Sequence, residues 1–427
     1  MSMTATQKIL AAKAGLKRTE PGELIQLPVD IAMGNDVTAP VAINELEKHG
    51  DASVKFPEKI VFVADHFTPN KDIRAAENVK QMRTYASAHG IDNFFDVGKM
   101  GIEHCLLPEA GFVKPGDVII GADSHTCTYG ALGAFATGMG STDLAFAIHT
   151  GRTWLRVPDA IRFRLTGRLR KPASGKDLIL TIIGKIGVEG ALYQSMEFTG
   201  DGLRSLQIDD RFTIANMAVE AGAKNAFFPV DDIAEAYLKE AGVQPPYRLY
   251  EADADAAYTR TMEMNLDEIV PVAACPHLPS NIRKIAGAAA RQNAEFIPID
   301  QVVIGSCTNG RLSDLRIAAY VVRGGQVHPG VRCIVIPGTQ KIFRKCIQEG
   351  IAVLLTEAGA VFSTPTCGPC LGGHMGVLAS GERAVSTTNR NFVGRMGAKT
   401  SEVYLASPYT AAKCAIEGGI FLEREKG

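Results

Sequence analysis

The chain has 427 residues, enough for two or three domains that each bury a core. With 46% hydrophobic and 21% charged residues and a formal net charge of −1, it has the composition of an ordinary soluble globular protein, and nothing in the charge points to nucleic acid or an anionic membrane surface. No apolar run approaches the roughly 20 residues of a membrane helix, and the nine cysteines, odd in number and irregular in spacing, argue against a secreted disulfide scaffold.

The N-terminal stretch M-S-M-T-A-T-Q-K-I-L-A-A-K-A-G is amphipathic and lacks the unbroken apolar core of a signal peptide, so it is expected to be a helix of a cytoplasmic protein. K-I-V-F-V-A (59–64) then runs into Asp65-His66, and a helix-like segment follows over 70–89, closed by Gly90. D-V-I-I-G-A (117–122) runs into Asp123-Ser124-His125-Thr126. V-P-D-A-I-R-F-R-L-T-G-R-L (157–169) alternates like a half-exposed strand and opens what reads as a smaller middle domain. A loop near Pro276 and Pro279 leads into a predicted helical stretch over 281–293. Q-V-V-I-G (301–305) runs into Ser306-Cys307-Thr308-Asn309, G-A-V-F-S (359–363) into T-P-T-C-G-P-C, and A-V-S-T-T (384–388) into Asn389-Arg390-Asn391.

Short continuous apolar runs suit strands buried on both faces of a parallel sheet, and their alternation with helices predicts a doubly wound α/β architecture. Ligand sites in such sheets lie beyond the carboxyl ends of the strands, where these polar residues fall. The expected domains are 1–157, 158–283 and 284–427.

Cys307, Cys367 and Cys370 all follow apolar runs and could converge at one sheet edge. Their residue chemistry leaves several sites open: an iron–sulfur centre, a zinc site completed by His374, a redox pair, or plain packing. A thioredoxin-like pair should open a helix, whereas Gly368-Pro369 and Leu371-Gly372-Gly373 make a poor first turn. Three thiolates on a four-iron cluster would leave one iron open, as a catalytic metal requires.

G-S-C-T-N (305–309), C-G-P-C-L-G (367–372) and N-R-N-F-V-G-R (389–395), together with Asp65-His66, G-I-E-H (101–104), D-S-H-T (123–126) and M-E-F-T-G-D-G (196–202), resemble the signature of the aconitase superfamily from about Leu24 to the C-terminus. The length, and the stop soon after S-P-Y-T-A-A (407–412), resemble a separately encoded large subunit of that superfamily. The resemblance implies three α/β domains around one [4Fe-4S] cluster per large subunit, held by Cys307, Cys367 and Cys370, without the family's mobile fourth domain. It implies a hydro-lyase that dehydrates and rehydrates a 2- or 3-hydroxy dicarboxylic acid. An isopropylmalate of leucine biosynthesis is expected first, with homoaconitate and 2,3-dimethylmalate as alternatives.

Carried over by residue, Asp65 and His66 would form an acid pair near the departing hydroxyl, and His104 with Asp123 would assist proton transfer to it. Glu197 would contact the reacting oxygens from the middle domain. Ser124 and His125 would line the pocket, Asn35 and Asp36 would help bind substrate, Arg390 and Arg395 would meet its carboxylates, and Asn389 would bond to the cluster region. Cys105, Cys333 and Cys346 are expected to be packing residues.

Two features depart from the family pattern. An Asn is expected four residues before the middle-domain Glu, yet Tyr193 stands there. The chain also has no Ser-Ser pair to supply the serine base of the fourth domain, which implies a small-subunit partner, as heterodimer or heterotetramer. A nucleic-acid role for a cluster-free form is disfavoured by the neutral charge.

Overall fold

A run of Val, Ile and Phe without polar alternation is stable only where both of its faces are covered. In the computed structural model, which describes residues 2–50 and 53–424, four of the five predicted runs form interior strands with parallel neighbours, while the run at 359–363 supplies only a short edge strand, Val361–Phe362. The chain divides into two compact units, one of Met1–Gly167 with Ala191–Asn265, the other of Arg168–Gly190 with Leu266–Gly427.

The first unit is built on a five-stranded parallel sheet in the order Phe94–Phe95, Ile60–Val63, Ile31–Asn35, Val118–Gly121, Phe135–Gly138. On one face, Ala39–Lys48, Ile73–Ala88 and Ser141–Thr150 set Ile43, Leu46, Met82 and Leu144 against Ile60, Phe62 and Ile120. On the other, the predicted N-terminal helix, Ala5–Ala14, sets Ile9 and Leu10 against Val118 and Phe135. The sheet order reverses between Ile31–Asn35 and Val118–Gly121, so the connections leaving these two strands diverge and open a crevice at their carboxyl ends. The predicted helix over 70–89 is Ile73–Ala88, capped by the Asp72 carboxylate, which accepts from Ala75 N at 2.8 Å.

The same unit holds a four-stranded parallel sheet in the order Asn225–Phe227, Ser195–Thr199, Ala160–Thr166, Arg260–Asn265. Ala160–Thr166 alternates as the sequence predicts, burying Ile161, Phe163 and Leu165 while Arg164 is exposed.

The second unit carries a seven-stranded sheet in the order Ile282–Lys284, Val272–Ala274, Glu402–Ala406, Arg383–Ser386, Gln301–Ile304, Arg332–Val335, Val361–Phe362. The last five are parallel, and the first two join antiparallel. Its order also reverses, between Gln301–Ile304 and Arg383–Ser386. Cys333 and Cys346 lie in its apolar core, where burial pushes both thiols up to about 12.

The helix expected over 281–293 does not form. Ile282–Lys284 is an edge strand paired with Val272–Ala274, and a short 3-10 turn, Ala288–Asn293, follows Gly287. Tertiary packing overrides the local pattern: Ile282 presses on Gly184 of the helix Gly175–Ile186, so closely that a Cβ there would lie 2.5 Å from its side chain. Among the described residues, no helix is long and apolar enough to cross a membrane.

Candidate functional site

The crevice of the five-stranded sheet gathers titratable groups from three strand ends. Asp36, just past Ile31–Asn35, is buried and accepts three backbone N–H groups, from Asp65 at 3.0 Å, His66 at 2.8 Å and Phe67 at 2.9 Å. This clamp fixes the turn after Ile60–Val63. Asp65 Oδ1 is then 2.6 Å from His66 Nδ1, and its other oxygen accepts Glu103 N at 2.8 Å. Asn35 donates from Nδ2 to Glu103 Oε1 at 3.0 Å. The loop after Val118–Gly121 brings Asp123, whose Oδ1 is 2.8 Å from His104 Nε2 and accepts His125 N at 2.8 Å, while its Oδ2 lies 3.8 Å from His66 Nε2.

Burial and neighbouring charge divide the proton load. Burial alone would depress the His66 imidazolium, but the Asp65, Asp36 and Glu103 carboxyl groups around it hold its pKa well above the ordinary value. Burial would raise Asp123, yet hydrogen bonds from His104 and His125 keep its carboxylate well below the usual range. The His104 pKa is pulled below the ordinary value by burial, against the opposing pull of Asp123. The tautomer that satisfies both its contacts donates from Nε2 to Asp123 and accepts at Nδ1 from the Tyr129 hydroxyl, 3.1 Å away. Burial, with Asp65 and Asp123 nearby, pushes the Glu103 carboxyl well above the usual carboxylate range. The array thus sets an imidazole with a raised pKa beside one with a lowered pKa, and a carboxyl group pushed up beside one held down, a division suited to passing a proton to and from a departing oxygen.

Glu197 is not part of this array. From Ser195–Thr199 its buried carboxylate reaches the N-terminus of Ala5–Ala14, accepting Thr6 N at 2.9 Å, Ala5 N at 3.3 Å and the Tyr258 hydroxyl at 2.9 Å. A carboxylate there satisfies free N–H groups at the positive end of a helix, a structural duty. The acid that meets the array is Glu220, whose Oε1 is 2.9 Å from His125 Nε2. Asn216 lies four residues earlier in A-N-M-A-V-E; its Nδ2 donates to Thr128 Oγ1 at 2.9 Å, and its carbonyl accepts Cys127 Sγ at 3.5 Å. The Asn–x–x–x–Glu spacing missing around Tyr193 is therefore present here. Ser124 lines a cleft of about 570 Å³ beside the array, with Met139, Trp154, Leu192 and Lys224 on its walls.

The second unit gathers the other predicted residues at its own sheet reversal. Cys307 follows Gln301–Ile304, Asn389 follows Arg383–Ser386, and Thr387 ties the two strand ends together, its Oγ1 accepting Gly305 N at 2.8 Å and donating to Gly305 O at 3.0 Å. Arg311 holds the Cys307 turn through the carbonyls of Cys307 at 3.0 Å and Thr308 at 3.3 Å. Cys367 and Cys370 bracket a tight turn in which Gly368, at φ +59°, takes a conformation that favours glycine, as does Gly372, at φ +69°, two residues past Cys370. All three thiols are buried. Asn389 Nδ2 donates to Cys307 Sγ at 3.4 Å while its Oδ1 accepts Cys370 Sγ at 3.6 Å, and the Arg395 guanidinium donates to the same Cys370 sulfur at 3.6 Å. Arg390, half-buried, follows Asn389 in the same turn.

This donor set fits an iron–sulfur cluster better than a single zinc ion. Zn–S bonds of about 2.3 Å bring tetrahedral donors within about 4 Å of one another. Among the described residues, the groups with donor atoms within 4.8 Å of each other are Asp36–Asp65–His66 and Glu103–His104–Asp123, not the three thiols. A cube carries each thiolate on a different iron and so spaces them more widely, and N–H groups aimed at the sulfurs are among the features that tune such clusters. His374 Nε2 is 3.3 Å from the Thr366 hydroxyl.

Sheets with a proton-handling array at one reversal and a buried thiol trio at another are the marks of an α/β enzyme whose thiols suit a metallocluster. The chain belongs to the aconitase family: residues 7–418 match the family model described as aconitate hydratase. It is 61% identical over 420 residues, 98% of this chain and 99% of the relative, to the 3-isopropylmalate dehydratase large subunit of Clostridium botulinum (strain Alaska E43 / Type E3). It is 60% identical over 425 residues, all of both chains, to the protein of that name from Caldanaerobacter subterraneus subsp. tengcongensis. Among solved structures it is similar to Thermococcus kodakaraensis aconitase X, at 14% identity and a TM-score of 0.48 over 90% of this chain and 89% of that one. The family's iron–sulfur chemistry agrees with the thiol trio.

Proposed function

We propose that this chain is the large subunit of a cytoplasmic hydro-lyase that interconverts 2- and 3-isopropylmalate in leucine biosynthesis. The observation that carries the reading is end-to-end identity of about 60% to large subunits of that name. In this reading Cys307, Cys367 and Cys370 hold one [4Fe-4S] cluster per chain. When bound, the cluster supplies a Lewis acid that makes hydroxide a better leaving group. The domains in this reading are 1–157, 158–283 and 284–427.

The chain's own residues manage protons and carboxylates. His66, held charged by Asp65 and Asp36, donates a proton to the departing hydroxyl. Asp123, 3.8 Å from His66 Nε2 and 2.8 Å from His104 Nε2, links the two imidazoles, and His66 takes back the proton that water gives up when it adds at the neighbouring carbon. Glu220 orients His125, while Asn35 and Asp36 hold the protein side of the array in place. Arg390 and Arg395 offer planar guanidinium forks suited to substrate carboxylates. Removal of the carbon-bound proton falls to a base on a separate small subunit, so the chain alone binds a cluster but does not turn over.

The test is anaerobic reconstitution of this chain and of Cys367→Ser, each with and without the small subunit of the Clostridium botulinum enzyme. About four iron and four sulfide per wild-type chain, lost in the variant, with isopropylmalate turnover only when both subunits are present, supports the reading. One zinc per chain, or turnover by the variant, refutes it.

A further inference from the structure

Lys176 is fully buried in the first turn of Gly175–Ile186, a poor position for a cation by local rules. The helix N-terminus repels positive charge, and burial strips it of water. Its neighbour Asp177 does not answer it. That carboxylate accepts Ser174 N at 2.9 Å, Ser174 Oγ at 3.0 Å and Val272 N at 3.0 Å, capping the helix and tying it to an adjacent strand. Among the described residues the Lys176 ammonium forms no salt bridge and instead donates to two backbone carbonyls, those of Thr387 at 2.8 Å and Thr388 at 2.5 Å.

Those carbonyls belong to the turn that delivers Asn389 to the sulfurs of Cys307 and Cys370. The same turn is locked to the Cys307 strand through Thr387 and Gly305. Burial draws the Lys176 pKa down to about 7, and the groups that favour its charged form are led by Cys307 and Cys370, ahead of Asp314 and Asp177. No carboxylate pairs with this ammonium among the described residues, and the turn it holds carries Asn389 to the sulfurs of Cys307 and Cys370.

We propose that Lys176 is a positioning residue and buried counter-charge for the thiolate trio, compensating the negative charge gathered at Cys307 and Cys370 and fixing the Thr387–Asn389 turn that bonds to them. This role rests on the proposed cluster. A positive charge behind the thiolates favours the more reduced, more negative form, so it raises the reduction potential and slows loss of iron.

The experiment compares the wild-type chain with Lys176→Gln, which keeps N–H donors without the charge, and Lys176→Met, which removes both at similar length. Each is purified without cluster, melted, then reconstituted anaerobically and followed by iron and sulfide content, midpoint potential and rate of iron release to a chelator. Cluster-free Lys176→Gln, which loses a desolvated charge but keeps a donor, should melt near the wild type, whereas Lys176→Met, which leaves the Thr387 and Thr388 carbonyls without that donor, should melt lower. After reconstitution both should show a more negative midpoint potential, with several-fold faster iron release in Lys176→Met and a smaller increase in Lys176→Gln. A folded Lys176→Gln with wild-type potential and release rate overturns the counter-charge, even where Lys176→Met fails to fold. A wild-type chain that takes up no iron or sulfide removes the cluster itself, and this role with it.

Discussion

Replacing Asp36 by Asn tests the clamp that shapes the proton-handling array. The carboxylate accepts three backbone N–H groups, from Asp65, His66 and Phe67 at 3.0, 2.8 and 2.9 Å, in a buried setting. Asn can keep an oxygen toward the Asp65 and His66 amides but turns an N–H toward that of Phe67, so one bond becomes a donor facing a donor. The other two lose charge assistance. With charged hydrogen bonds worth about 1.5–3 kcal/mol each, the expected destabilisation is about 2–4 kcal/mol. The second consequence is electrostatic: Asp36 is one of the charges that hold His66 protonated, so the His66 pKa should fall. A His pKa raised by folding contributes stability that is complete below the unfolded value of about 6.5 and is lost as pH rises through the folded value. The deficit of the variant should therefore be larger at pH 6 than above the wild-type His66 pKa. Thermal melts across pH, with an NMR titration of the His66 ring, check both points. An unmoved His66 titration with an unchanged melting midpoint would refute the clamp.

Glu220→Gln should lower isopropylmalate turnover by the reconstituted two-subunit enzyme while leaving the melting temperature nearly unchanged. Glu197→Gln should do the reverse, costing about 2–3 kcal/mol in denaturant melts through the lost helix-terminal carboxylate, with kcat/KM intact. Asp231→Ala should cost about 3–5 kcal/mol, because it strands the fully buried Arg211 guanidinium that Asp231 meets at 2.7 and 2.6 Å; a urea melt with an unchanged midpoint contradicts this. The pKa of His104 is lowered by burial, so its share of stability is complete above about 6.5 and falls away as pH drops toward the folded value. His104→Phe should flatten the pH dependence of the melting temperature just below pH 6.5; an unchanged slope would place the acid sensitivity elsewhere.

The strand ends were legible because a parallel strand buried on both faces has no room for polar residues until it stops, so Asp65, Asp123, Cys307 and Asn389 stand out. Within each unit the gathering of these ends, Asp65 with Asp123 and Cys307 with Asn389, was also legible in outline, since sheets of this kind present their crevices at the carboxyl ends. Glu197 was not. On a strand, a carboxylate's sequence neighbours do not reveal which backbone N–H groups it will meet, and the helix N-terminus that claims Glu197 begins almost two hundred residues earlier. The signal for Glu220 lay in the four-residue spacing from Asn216 within a helical stretch. Ile282–Lys284 misled because its apolar spacing suits a helix, and its pairing with Val272–Ala274 is decided by distant contacts. Lys176 gave no sign, since a lysine after Ser-Gly at a helix start resembles any solvated cap.

The segment Arg168–Gly190 leaves the first unit, completes the second, and hands the chain back. During synthesis the helix Gly175–Ile186, with its buried Ile179, Ile182 and Ile183, emerges from the ribosome well before Val272–Ala274 and Ile282–Lys284, the strands that helix packs beside. The nascent chain must therefore carry an apolar helix face without its final cover for most of a hundred residues, at the stage when exposed hydrophobic surface invites aggregation or chaperones. It also follows that the thiol-bearing unit cannot be obtained by expressing the C-terminal portion from Leu266 alone. A minimal fragment of this unit needs 168–190 grafted ahead of it, or a circular permutation that joins the two pieces.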